Sequence, residues 1–126
     1  MNKEKKLIPG LPSGFEDRWD KKLLLKKKLL KAIENNFIKF GAEALETPSF
    51  EISENIGSFL AEDDANPMSD VFSFQDGEKS ITLRYDLSSP LAIFVAQNNQ
   101  ELPSLFKRYA IQNVFRNEKA GNGRYR

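Results

Sequence analysis

At 126 residues, 40% hydrophobic and 29% charged, the chain has the makeup of one globular domain at most, large enough for a hydrophobic core. A net charge of +1 announces no nucleic-acid binder, so any RNA contact would rest on local patches. The chain holds no cysteine and no histidine, which excludes disulfides, thiolate or imidazole metal sites and Ser-His-Asp catalysis; carboxylates, Lys, Tyr and Arg remain.

No apolar run approaches a membrane span, and the basic start Met1 to Lys6 lacks the apolar core of a signal peptide, so a cytoplasmic location is expected. Pro9, Gly10, Pro12 and Gly14 predict an irregular arm over residues 1–16. From about Arg18 to Phe40 the pattern is helical: Leu25, Leu29, Ile33 and Phe37 recur every four residues, with Leu23 and Leu30 widening the stripe. Asp17 is placed to cap that helix, and Gly41 sits where a left-handed terminating residue is wanted. Lys26, Lys27, Lys28 and Lys31 take the other side, read first as a solvated face and second as an RNA contact. Residues 42–47 predict a short strand that Pro48 ends.

Residues 51–67 read as polar and irregular, with a short helix near Ile52 to Leu60. Glu62, Asp63 and Asp64 have the look of metal ligands, but no second cluster completes a shell, so they read as a solvated loop and no metal site is assigned. Val71 to Gln75 and Ile81 to Tyr85 predict two strands joined by a turn at Asp76-Gly77. A helix over Pro90 to Gln97 follows, with proline at its first position and a serine as cap. At that junction Asp86 is placed either to receive an ammonium group or to offset the helix dipole. Ser88 is placed either to steer a substrate carboxylate or to cap.

Lys107 to Arg126, KRYAIQNVFRNEKAGNGRYR, predicts a β-hairpin with a loop at Lys119 to Gly123. Side chains two apart share a strand face, so Arg116 and Glu118 point one way, as do Arg124 and Arg126 beyond the loop. Fixed guanidiniums bind phosphate oxygens bidentately, and a nearby carboxylate accepts from an exocyclic amine, the makings of a nucleoside triphosphate site. The plainer alternative is an exposed hairpin charged for solubility.

Phe115-Arg116-x-Glu118, a short loop, then Gly123-Arg124-Tyr125-Arg126 resembles motif 2 of class II aminoacyl-tRNA synthetases, and more narrowly of histidyl-tRNA synthetases. Leu83-Arg84-Tyr85-Asp86-Leu87-Ser88 resembles the segment of those enzymes that grips the amino group of histidine. The helix, Gly41, strand and Pro48 resemble motif 1, and LPSGFED resembles the segment that opens the catalytic domain. The resemblance implies an α+β fold on an antiparallel sheet, with motif 1 near residues 18–50, the amino-acid segment at 83–90 and motif 2 at 107–126. It implies ATP with Mg²⁺ carried by the nucleotide, histidine and tRNA(His) as substrates, and a homodimer through motif 1, with Gly41 and Pro48 at the interface. By the same resemblance Arg116 contacts the α-phosphate, Glu118 the adenine amine, Arg124 and Arg126 the ATP, and Asp86 and Ser88 the amino acid.

Ile93 stands where an arginine is usual, and Gln112 and Asn113 also depart from the pattern. The chain stops three residues into the expected returning strand, so it reads as an N-terminal fragment not expected to ligate alone. The alternatives are a non-catalytic paralogue, such as the regulatory subunit of ATP phosphoribosyltransferase, and a dimerising module built on motif 1.

Overall fold

The structure is a computed structural model, and it describes residues 8–56, 70–122 and 125. Helix α1 (Asp20–Lys39) occupies the predicted span. Its start departs from expectation, because Asp17 does not cap it. Trp19 stands at the N-cap with no side-chain bond, and the chain enters through Asp20 at φ +54. Its end follows expectation. Gly41 lies at φ +75, its N–H donates to the Ile38 carbonyl at 2.9 Å, and Ala42 donates to the Phe37 carbonyl at 3.0 Å. That paired closure satisfies two terminal carbonyls and needs a left-handed residue between them.

The apolar stripe of α1 is not buried. Leu25 and Leu29 are 69% and 58% exposed, and no residue of the helix is fully covered. The helix is held instead through its last turns, where Phe37 stacks on Tyr109 with ring centroids 5.8 Å apart and planes 7° from parallel. The Tyr109 hydroxyl donates to Glu34 Oε1 at 3.1 Å, and Lys31 pairs with Glu34 at 2.7 Å. The paired lysine, then the phenol, hold the Glu34 carboxyl below its ordinary pKa. Tyr109 belongs to β5 (Arg108–Tyr109), which pairs in parallel with β1 (Glu43–Ala44). The predicted strand at 42–47 is thus two residues long.

A second, three-stranded antiparallel sheet has the order β2-β4-β3, with β2 at Phe50–Ile52, β3 at Ser73–Asp76 and β4 at Lys79–Leu83. Strands β3 and β4 form the predicted hairpin with its turn one residue later than expected, at Gly77-Glu78 rather than Asp76-Gly77, because Asp76 still pairs with Lys79; Gly77 at φ +61 takes the first turn position. Strand β2 was not predicted: residues 51 and 52 belong to it, and only Ser53–Ile56 (α2) of the expected helix lies among the described residues. The acidic run at Glu62, Asp63 and Asp64 lies outside them.

The sheet hides a polar face and shows an apolar one. Glu51 and Thr82 are paired in register and buried, while Phe50, Ile52 and Phe74 are 58%, 42% and 42% exposed. Phe50 and Phe74 meet edge to face at 5.4 Å, flanking β4. Helix α3 (Ser88–Asn98) starts two residues earlier than predicted, so Pro90 is its third residue rather than its first.

Candidate functional site

The end of β4 carries most of the site. Leu83 and Arg84 extend its ladder through N–H bonds to the carbonyls of Phe72 (2.8 Å) and Ser49 (3.0 Å). Beyond them, Tyr85 and Asp86 lead into α3. Asp86 Oδ1 accepts from the backbone N–H groups of Ser88 and Ser89, both at 3.0 Å, so Asp86 closes the helix start and neither serine does. Both bonds fall on Oδ1, and the carboxylate faces a cavity of about 390 Å³. Ser88 and Ile93 line the same cavity, the isoleucine making an apolar wall at the position where the resemblance implies an arginine.

Sequence reasoning missed Glu51 there. This carboxyl is 8% exposed, lines the cavity and accepts from Ser89 Oγ at 3.4 Å. Burial first, and then the nearby Asp86 charge, push its pKa up; the Ser89 hydrogen bond and the Arg84 charge oppose that. An acidic residue between Phe50 and Ile52 carries the alternation of a strand with its polar side inward, a signal that was available in the sequence.

Arg84 was also missed as a structural residue. It is 3% exposed, and its guanidinium donates to backbone carbonyls. Nε donates to Asn113 at 2.7 Å, and Nη1 to Thr47 at 2.8 Å and Pro48 at 3.4 Å. Gln112 works beside it: its Nε2 donates to the Thr47 carbonyl at 2.9 Å, and its Oε1 accepts from the Thr47 N–H at 3.2 Å. The amide side chain thereby imitates a strand residue. The Gln112 side chain, and Arg84 bridging the Asn113 and Thr47 carbonyls, thereby fasten the segment before Arg116 to the segment ending at Pro48.

That segment is not the regular strand predicted. Beyond Tyr109, only Gly121 makes a bridge among the described residues. Its path is fixed instead by Phe115 N–H to the Arg84 carbonyl (3.0 Å) and Asn117 N–H to the Asp70 carbonyl (2.8 Å). Arg116 and Glu118 emerge on one side, each side chain 45% exposed, with Nη1 and Oε1 3.9 Å apart. Both meet Tyr85. The Arg116 guanidinium lies 4.4 Å from the ring centroid, its Nε donates to the Tyr85 carbonyl at 3.4 Å, and the Tyr85 hydroxyl donates to Glu118 Oε1 at 3.0 Å. Glu118, as acceptor of that proton, and then partial burial raise the pKa of the Tyr85 phenol. Arg124 and Arg126 lie outside the described residues.

The arrangement is an acid-lined cavity and an open arginine–glutamate pair that share Tyr85 as a wall. Chemically, one side suits a small ligand with an ammonium group, and the other an anionic ligand bearing a hydrogen-bond donor.

Over 126 residues the chain is 81% identical to the histidine–tRNA ligase of Pelagibacter ubique, covering 100% of this chain and 27% of that one. It is 45% identical over 117 residues to the histidine–tRNA ligase of Methylocella silvestris, covering 92% of this chain and 23% of that one. The chain thus spans about a quarter of the length of these curated relatives. Among solved structures it is similar to histidyl-tRNA synthetase from Nostoc sp. PCC 7120, at TM-score 0.73 and 26% identity over 86% of this chain and 25% of that one. An ATP phosphoribosyltransferase regulatory subunit/histidyl-tRNA synthetase from Bacillus halodurans superposes at TM-score 0.77, over 91% of this chain and 30% of that one. At 23% identity it speaks for the fold alone. No protein-family model matches the chain. In sequence the chain is a counterpart of part of the histidine–tRNA ligases, and its fold is of the class II synthetase type.

Proposed function

We propose that this chain serves as the part of a histidine–tRNA ligase that begins the activation of histidine by ATP. In this reading residues 18–50 are motif 1, 83–90 the amino-acid segment and 107–126 motif 2, and the rest of the ligase supplies the remaining groups. The observation that carries it is the joint projection of Arg116 and Glu118 beside the Asp86 cavity, with Tyr85 between.

The chemistry asks little acid–base work of the protein. The histidine carboxylate attacks the α-phosphorus of ATP, a P–O bond forms, and the bond to the bridging oxygen breaks to release pyrophosphate. Asp86, whose second oxygen meets no backbone donor among the described residues, receives the histidine ammonium, and Ser88 lies beside it. Arg116 offsets the charge that builds on the α-phosphate oxygens, and Glu118 accepts from the adenine amine. Mg²⁺ would enter on the triphosphate and add charge neutralisation there; Arg124 and Arg126 would contact the ATP. Transfer of the acyl group to tRNA(His) follows in the complete enzyme, a cytoplasmic homodimer that pairs near Gly41 and Pro48. The Pro48 carbonyl's bond to Arg84 supports a link between that interface and the site.

The alternative reading is a histidine-sensing regulatory paralogue of the same fold. The retained Arg116 and Glu118 favour the ligase, since a sensor needs no ATP grip. The test is histidine-dependent pyrophosphate exchange by a full-length ligase carrying these 126 residues. Arg116→Ala abolishes exchange while leaving the melting temperature in place; exchange at the parent rate would overturn the assignment.

A further inference from the structure

We propose that Glu51 is a second carboxylate for the ammonium group of the amino acid, which it holds jointly with Asp86 at the first turn of α3, an inference that rests on the ligase reading above. The two acids come from distant parts of the chain and meet at one serine. Ser89 donates its backbone N–H to Asp86 Oδ1 at 3.0 Å and its hydroxyl to Glu51 Oε1 at 3.4 Å. Both carboxyl-bearing residues line the same cavity of about 390 Å³. A small cation that enters it beside Ser89 therefore meets two acids rather than one.

The surroundings of Glu51 suit a visiting cation better than a role in packing alone. The residue is 8% exposed. Ile56, Ala92 and Ile93 line the same cavity, so a wall built only for packing would take an apolar residue at position 51 as well. Among the described residues the Glu51 carboxylate receives one hydrogen bond, the long one from Ser89, and neither it nor Asp86 belongs to an ion pair. Arg84 acts on Glu51 through its charge, but its guanidinium donates to the carbonyls of Asn113, Thr47 and Pro48. An ionised carboxyl buried with so few partners is costly, in line with the upward push that burial and Asp86 give its pKa. An ammonium placed between the two acids removes that cost, and its attraction to them is stronger in a partly apolar cavity than in water. Ammonium also carries three N–H donors, so Asp86 alone leaves two of them to be met; Glu51 and the Ser88 hydroxyl are the acceptors at hand.

The test uses a full-length ligase carrying these residues, assayed by pyrophosphate exchange against two competitors of histidine. Histidinol keeps the ammonium group and lacks the carboxylate, whereas imidazolepropionate keeps the carboxylate and lacks the ammonium group. Glu51→Gln keeps the size and polarity of the side chain and removes its charge. It raises KM for histidine and the inhibition constant of histidinol together, about ten- to hundredfold, and leaves KM for ATP and the inhibition constant of imidazolepropionate within about twofold. Glu51→Asp, with the charge on a shorter arm, falls between Glu51→Gln and the parent. A loss of packing alone would weaken both competitors alike. Equal weakening of the two in Glu51→Gln, or a histidinol constant at the parent value, would overturn the inference. Asp86→Asn serves as the reference. If it leaves histidinol inhibition intact, the ligase reading of the cavity falls and this inference with it; if it weakens histidinol while Glu51→Gln does not, only the role of Glu51 falls.

Discussion

Replacing Arg84 by methionine removes three hydrogen bonds that tie the carbonyls of Thr47 and Pro48 to that of Asn113, far away in sequence. The two short bonds, to Asn113 and Thr47, are charge-assisted and worth roughly 1.5–3 kcal/mol each. The Thr47 carbonyl keeps a second donor in Gln112 Nε2, so only its share of the arginine bond is lost. The Asn113 carbonyl belongs to an exposed residue and recovers part of its loss from water. Methionine also relieves the desolvation of a guanidinium that is 3% exposed. The sum is a loss of about 3 kcal/mol, a large part of the 5–15 kcal/mol typical of a domain. Urea unfolding followed by circular dichroism reads it as a midpoint lower by roughly 1–3 M. Arg84→Lys, with one nitrogen for acceptors on two sides, recovers about half. Because Arg84 and Gln112 share the Thr47 carbonyl, Arg84→Met and Gln112→Ala together cost more than the sum of the two singles, by roughly 1 kcal/mol. A loss below about 1 kcal/mol for Arg84→Met, or strict additivity in that cycle, would refute the clamp.

Other perturbations follow from the same contacts. Arg116→Lys restores the charge without the planar fork, so exchange recovers only partly over Arg116→Ala; full recovery would show that charge alone suffices. Gly41→Ala meets no atom within 4 Å, so its cost is the left-handed backbone alone, about 1–2 kcal/mol in urea, and Gly41→Asn costs less; equal losses would place the cause elsewhere. Glu51 is held above the ordinary carboxyl value of 4.5, so the folded chain binds that proton more tightly than the unfolded one. Its contribution favours folding at low pH and is lost as pH rises through the elevated value. Glu51→Gln is therefore at least as stable as the parent at pH 7, and the difference closes on acidification below 4.5; a variant weaker at pH 7 and equal in acid reverses the sign.

What the sequence revealed and what it hid divide along physical lines. Helix α1, the Gly41 stop and the β3–β4 hairpin rest on local periodicity and turn chemistry, and each formed close to where those rules put it. Strand β2 showed its alternation at Phe50-Glu51-Ile52, but the side it buries is the acid's, opposite to the usual sheet, so the pattern alone pointed to the wrong face. The capping of α3 was assigned to a serine, yet Asp86 reaches past Leu87 to bond two N–H groups, a choice set by backbone geometry rather than residue type. Arg116 and Glu118 fell on one side as strand alternation required, although their segment is held by single bonds to two other stretches rather than by a ladder. Arg84 and Tyr85 were legible only as letters of a motif. Their work depends on residues 29 to 37 positions away, which no local pattern encodes.

The reversed sheet has a thermodynamic corollary. Alternate residues of β4 look to opposite sides, Thr82 to the covered side it shares with its partner Glu51 and Ile81 to the side of the uncovered Phe74 and Ile52. Apolar surface contributes roughly 25 cal/mol per Å² only once it is shielded from water. Whatever shields Phe50 and Phe74 therefore stiffens the same strand that ends in Arg84, Tyr85 and Asp86. By reciprocity, a ligand that prefers the stiffened strand tightens the grip of the cover, so β4 couples its two sides through its own rigidity.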